Sequence, residues 1–344
     1  IDKPSDYFNT KLYTGNGGTQ SITGLDFAPN FVWLKDRTNA NSGRINDTVR
    51  TATKYLIPST TGAEATESAG LTSFNSDGFS LGSNSDFNGN SANFVSWNWK
   101  AGTSVSGNTG GSGTSKSYSG SVNTDAGFSI IKYTGNGTAG HTIPHHLGVQ
   151  PRVVICKRLS SSGQWVFGTM ALPNQFEQFL ELDLTGAAQT SSLRWNNTDP
   201  SSSVFTVGST ADTNQDGTTI VAYSFAEKQG YSKFGSYVGN GNVNGSFIYT
   251  GQKSAFVMIK CTSSAQDWII RDNKRDTDNP TQKRLSPNIT DAETSHTADF
   301  DFLSNGFKAR GTGLNFNGSG HTYIYMAFAE NPFVTSTGVP ATAR

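Results

Sequence analysis

The chain has 344 residues, enough for two or three domains that each bury a core. Charged residues make up only 15%, and Lys+Arg balance Asp+Glu at 26 each, so nothing in the charge suits nucleic acid or an anionic membrane. Met is scarce, Gly abounds, and no apolar run approaches the ~18 residues of a spanning helix; the composition points to all-β structure with many turns.

Residues 1–10 are a lead-in without a charged and apolar signal segment, and the first residue is not Met, as in a fragment of a longer chain. The phrase Tyr13-Thr14-Gly15-Asn16-Gly17 follows, a strand end running into a tight turn, because Gly and Asn tolerate positive φ. It returns as Tyr133-Thr134-Gly135-Asn136-Gly137 and, with one change, as Tyr237-Val238-Gly239-Asn240-Gly241. Three copies at domain-sized steps mark a repeat. After each comes an apolar strand closed by lysine: Phe31–Lys35, Val153–Lys157 and Phe256–Lys260. Such runs suit strands covered on both faces. A second strand follows a polar hairpin, beginning near Gly43, Trp165 and Trp268. The back half repeats too, in Gly78-Phe79, Val204-Phe205 and Gly306-Phe307, before closing strands Phe94–Trp99, Ile220–Phe225 and Tyr323–Phe328.

The expected architecture is therefore all-β, three tandem antiparallel β-sandwich repeats of jelly-roll or lectin-like type, with no helices of note. The repeats are placed at 1–101, 121–229 and 230–344, the last with a short C-terminal tail. Residues 102–120, rich in Gly, Ser and Thr, are expected to be a flexible linker or long loop. Cys156 and Cys261 flank their lysines on opposite sides, so a bridge would have to cross repeats; both read as free thiols, one of them in a core.

Several motifs together resemble a repeat domain of virion proteins from marine tailed bacteriophages, of tail-fibre or tail-spike type. They are Lys3-Pro4-Ser5-Asp6-Tyr7-Phe8, the Tyr-Thr-Gly-Asn-Gly phrases, Phe225-Ala226-Glu227, Leu303–Lys308 and Ala327–Phe333. The resemblance spans nearly the whole chain. It implies a structural and host-recognition role in the extracellular particle, with other virion proteins and other copies of the chain as partners. It carries no catalytic or binding residue across, so candidate sites come from the residues themselves.

Glu181 and Asp183 alternate onto one face of a predicted strand, as in jelly-roll glucanases where such a pair works with a third acid. The third acid of that pattern is replaced by Gly186 or Ala187, so the general acid is missing and a solvent-facing polar side is favoured. His141, His145 and His146 have the spacing of a zinc seed, yet Pro144 breaks any helix and no Cys, Asp or Glu completes the shell; a polar hairpin is favoured. Asp212, Asn214 and Asp216 fit the first half of a calcium loop. The twelfth position is Tyr223 rather than Glu, and the aligned Asp86, Asn88, Asn90 and Asn315, Asn317, Ser319 suit turn chemistry between strands. No catalytic residue, metal or other cofactor is assigned. Asp47 and Arg50 align with Asp272 and Arg275, but Thr169 replaces the acid in the second copy, as for a structural ion pair.

Trp195, framed by Arg194, Asn196 and Asp199 in a polar loop, is the best candidate for stacking on a sugar; a ring folded over the core is the competing reading. The diverging loops near 39–43, 160–163, 189–203 and 272–287 are expected to face a host glycan or outer-membrane protein. The last holds a basic patch of Arg271, Lys274, Arg275, Lys283 and Arg284. Weak contacts gain from multivalency, so a homo-oligomer, a trimer as in many phage fibres, is expected. The function read from the sequence is a non-enzymatic virion component, a tail fibre or appendage that touches the host. A capsid decoration or head-fibre protein and a carbohydrate-degrading spike are the alternatives.

Overall fold

The structure, a computed structural model, describes residues 1–342; the end of the expected tail, residues 343–344, lies outside them. It is nearly all β, in antiparallel sheets packed as sandwiches. In the first segment Phe8–Thr14 (β1), Phe31–Asp36 (β2), Arg44–Asp47 (β3) and Asn93–Trp99 (β4) lie in the order β1-β4-β2-β3. The second segment has Thr103–Asn108 (β5), Ser117–Asn123 (β6), Phe128–Thr134 (β7), Val153–Arg158 (β8), Val166–Thr169 (β9) and Thr219–Phe225 (β10), with β7-β10-β8-β9 repeating that order. The third has Ser232–Val238 (β11), Gln252–Cys261 (β12), Ile269–Asp272 (β13) and Thr322–Pro332 (β14), in the order β11-β14-β12-β13. A second, smaller or equal sheet covers each: Gln20–Thr23 with Gly78–Leu81 and Leu71–Asn75, then His141–Pro144 with Val204–Val207, then Phe247–Tyr249 with Gly306–Ala309 and Thr294–Leu303.

The lysine-closed strands show how both faces come to be covered. Val32 and Leu34 point into the first sandwich, Val154 and Cys156 into the second, Val257 and Ile259 into the third. The alternate residues, Phe31 and Trp33, Val153 and Ile155, Phe256 and Met258, share one central core with Phe8, Trp97, Trp99, Tyr223, Phe225 and Phe328. A continuous apolar run thus serves a private core with one set of side chains and a common core with the other. The common core is aromatic: Phe8 lies 4.8 Å from Trp99 and 5.3 Å from Phe328, while Phe31 meets Tyr223 at 4.9 Å, joining all three segments. Offset and edge-on ring pairs of this kind contribute about 0.5–1.5 kcal/mol each beyond their burial.

The segment expected to be a flexible linker is ordered strand. β5 pairs with β6 along its full length, and β6 pairs with β7, so the hairpin extends the second sheet past β7. Its small residues are compatible with an exposed edge ribbon, which needs backbone hydrogen bonds more than side-chain burial. The short helices Ser85–Asn88, Ser192–Trp195 and Ala211–Asn214 are single turns in loops. Both cysteines are free and both are buried, Cys156 in the second sandwich and Cys261 in the third.

Candidate functional site

The glycine-asparagine turns are locks that close each sandwich. Asn16, Asn136 and Asn240 each donate their backbone N–H, at 3.0 Å, to the side chain of Asn88, Asn214 and Asn317 respectively. These three acceptors are fully buried, and their Nδ2 groups reach the carbonyls of Gly82, Gly208 and Gly311. Tyr13, Tyr133 and Tyr237 donate to the carbonyl just before each buried Asn, at 2.6 to 2.8 Å. A Cβ on Gly135 would stand 2.3 Å from the Gln215 carbonyl oxygen, and Gly137 has φ +72°, so the two glycines are required for different reasons. The candidate calcium residues are spent in this fold. Asn214 is the buried clamp, Asp212 pairs with Arg194, and Asp216 pairs with Lys116 at 2.9 Å. Among the described residues no cluster of three metal-ligating side chains forms.

A second set of equivalent groups ties the segments into a ring. Lys35 donates to the carbonyls of Ile289 and Thr290 in the third segment, both at 3.0 Å. Lys157 donates to Thr61 O in the first at 2.9 Å, and Lys260 to Thr185 O in the second at 2.8 Å. All three lysines are buried, and desolvation pushes each from its ordinary 10.5 down to about 8. Carbonyls from both sides of the junction complete the ammonium shell; Lys35 also donates to Asn41 O and Lys260 to Gln266 O, so at pH 7 the groups are charged. Two residues beyond each lysine, the carbonyls of Arg37, Leu159 and Thr262 accept from the backbone N–H of Glu293, Glu64 and Ala188. The partner side of every junction is thus one recurring tetrapeptide: Thr61-Gly62-Ala63-Glu64, Thr185-Gly186-Ala187-Ala188 and Thr290-Asp291-Ala292-Glu293. Sequence reasoning missed this latch, and the recurring Thr-x-Ala was the signal available. Gly186 and Ala187, read as the gap where a catalytic acid should be, belong to it.

Buried ion pairs decorate two of the three junctions. Asp47 and Arg50 pair at 2.6 Å, as do Asp272 and Arg275, and all four side chains are fully buried. Glu64 and Glu293 add a second carboxylate to each arginine, and Arg37 adds a bidentate pair to Glu293 across the segments. Burial opposes ionisation of Asp272 and Glu293, but their arginines hold both below the usual carboxylate range. Tyr223 of the second segment donates to Asp47 at 2.7 Å, and Trp97 of the first donates to Asp272 at 3.0 Å. At the third junction every member changes: Thr169, Leu172 and Ala188 stand for the acid, the arginine and the glutamate, and Met326 for the aromatic donor. The two tryptophans just before β9 and β13 reach across as well, Trp165 donating to Ile57 O and Trp268 to Glu181 O, both at 3.0 Å.

Of the residues proposed for ligand binding, Trp195 and Arg275 are buried and Arg194 and Asn196 half-buried. Trp195 is 0% exposed, packed on Phe176 and Phe205 in the second sandwich. Its one-turn helix ends at Asn196, whose left-handed φ of 55° makes it a C-cap. Arg194 lies over Phe179 and pairs with Asp212 and Glu181, and Arg275 is the buried junction arginine. Glu181 and Asp183 are buried rather than solvent-facing, and burial raises both; Asp183 caps the Trp165 N–H at 3.0 Å. The three histidines take separate partners: His141 with Asn214 and Thr109, His145 with Ser201 O, His146 with Tyr118. The basic patch stays together but is engaged within the chain, since Arg271 and Arg284 both meet Asp299 and Lys283 bonds the Arg275 carbonyl.

What remains exposed and apolar lies mostly on the third segment. Phe247 and Tyr249, 48% and 58% exposed, share one face of a short strand, with Val238 and Val243 exposed in the same segment. Among the described residues no helix is long and apolar enough to cross a membrane. No curated protein and no solved structure matches the chain. A family model described as a domain of unknown function, DUF7483, matches residues 3–332, the stretch that contains every lock, latch and junction above. The chain belongs to the DUF7483 family.

Proposed function

We propose that the chain is a non-enzymatic structural module of a marine tailed-phage particle, carried on a tail fibre or appendage, with exposed side chains that touch the host surface. One observation carries the non-enzymatic part: the carboxylates, histidines and buried arginine that suggested chemistry in the sequence are engaged by other groups of the chain, Asp47 and Asp272 in junctions, Asp183 by the Trp165 N–H and the histidines by hydroxyls, an amide and a carbonyl. The recognition part moves from Trp195 to Phe247 and Tyr249, whose rings are free to stack on a glycan or an outer-membrane protein loop. Several copies on one particle make such weak contacts effective.

Antibodies raised against the purified chain, applied to intact particles and viewed by electron microscopy, test the reading. Labelling of tails is expected; labelling of heads alone assigns the chain to capsid decoration, and no labelling overturns the virion assignment. Binding of the fluorescent chain to host cells is expected to fall with Phe247→Ala and Tyr249→Ala. Release of reducing sugar from host polysaccharide would overturn the non-enzymatic reading.

A further inference from the structure

The three large sheets differ at one edge. In the second segment β7 is covered by β6, which pairs with it from Tyr118 opposite Tyr133 to Asn123 opposite Phe128. In the third segment the equivalent strand, β11, has β14 as its single ladder partner among the described residues. The bonds Gly239 N–H to His321 O and Ala329 N–H to Tyr231 O turn the odd-numbered residues of β11 toward β14. The N–H and C=O groups of Phe234 and Ser236 therefore face outward, as those of Ile130 and Lys132 face β6. The turn tyrosines register the difference: Tyr133 is 1% exposed beneath β6, whereas Tyr237 is half-buried.

A groove of about 580 Å³ runs beside that open edge, between residues 234–238 and residues 170–173 of the second segment. The β5–β6 hairpin occupies the corresponding place in the second segment, beside Thr48 and Val49 of the first. Strand register makes Thr48 and Val49 the counterparts of Met170 and Ala171. The molecule thus contains a copy of this edge that is already paired, and what pairs with it is a β-strand.

We propose that β11 is a strand-addition site for an extended segment of a partner protein, which pairs antiparallel with Phe234–Val238 in the groove. The chemistry of the occupant follows from β6: an aromatic residue to cover Tyr237, small residues with a central glycine, and an aliphatic residue four positions on. In β6 these are Tyr118 and Val122, both buried, with Gly120 between them, where a Cβ would stand 2.3 Å from the Ile130 carbonyl oxygen. The site is independent of the virion reading and stands or falls on its own test.

The probe is a synthetic peptide with the sequence of residues 116–124, added to the full chain. Saturable binding by fluorescence anisotropy is expected, with slowed amide exchange confined to residues 232–238. Ser236→Pro removes an outward N–H from an edge strand, a position where proline is tolerated, and is expected to weaken binding at least tenfold with the melting temperature unchanged. A peptide N-methylated on its pairing amides gives the same loss without altering the protein. Absence of saturation at millimolar peptide, protection at β1 or β7 instead, or full affinity of the N-methylated peptide overturns the proposal.

Discussion

Replacing Tyr223 by Phe tests whether the junctions stabilise the whole molecule. The hydroxyl lies 2.7 Å from Asp47 Oδ2, and the carboxylate also accepts from Arg50 Nε at 2.6 Å and from the N–H groups of Val49 and Arg50. Phe leaves a buried carboxylate one donor short, and a hydrogen bond to a charged group contributes about 1.5–3 kcal/mol. At ~2.1 cal/mol/K per residue, unfolding 344 residues together carries ~0.7 kcal/mol/K, so ~2 kcal/mol lowers the melting temperature by about 3 °C. Tyr231→Phe is the matched control, because its hydroxyl is buried without a hydrogen-bond partner; that substitution is expected to be neutral or slightly stabilising. Differential scanning calorimetry should show one transition for both variants, because the segments share a core. Equal shifts for the two variants, or a separate transition that alone responds to Tyr223→Phe, would refute the reasoning.

Other consequences follow from the same contacts. Lys35, Lys157 and Lys260 titrate near 8 when folded against an ordinary 10.5, so between those values the unfolded chain binds more protons and stability rises with pH. The melting temperature should climb from pH 7.5 to 9, before Cys156, raised to about 12 by burial, begins to oppose the gain; a fall over that interval contradicts the assignment. Gly135→Ala drives a methyl into the Gln215 carbonyl and should prevent folding or cost several kcal/mol, whereas Gly137→Ala, strained only at φ, should cost about 1–2 kcal/mol by denaturant titration. Trp195→Ala empties part of the second sandwich and should cost about 3–5 kcal/mol in the same titration.

The turn phrases were legible because their chemistry is local: a positive φ and a close approach select glycine wherever the lock recurs. The apolar strands were legible as covered on both faces, but a run such as Phe31–Lys35 reads the same whether its second face meets its own sandwich or a neighbour. That is why the common core was not foreseen. Trp195 misled because its polar neighbours cap a one-turn helix that turns the ring inward; a polar flank says where the backbone goes, not where a side chain points. Glu181 and Asp183 misled in the opposite direction: the strand that alternation requires ends at Glu181, with Asp183 in the turn beyond it, and the two carboxylates meet Arg194 and a backbone N–H rather than water. The 102–120 stretch shows the limit of composition, since a Gly/Ser-rich sequence is also what an edge hairpin tolerates.

Synthesis from the N-terminus presents the unequal junctions one after another. The first segment emerges with Asp47 awaiting Tyr223 and with Trp97 awaiting Asp272, so its two requirements are met at different times. Once the second segment arrives the acid is satisfied, while Phe8 and Trp99 still lack Phe256 and Phe328. The ring closes only when the last strand is released, and the final seam, with Thr169, Leu172 and Met326, contains no ion pair to assemble, only the Lys260 ammonium on the Thr185 carbonyl. A transposed order of segments would press an aspartate against a methionine and leave it buried and unanswered, several kcal/mol worse. The three copies are therefore not interchangeable bricks, and a chain cut short before the third would carry an aromatic face with nothing to meet it.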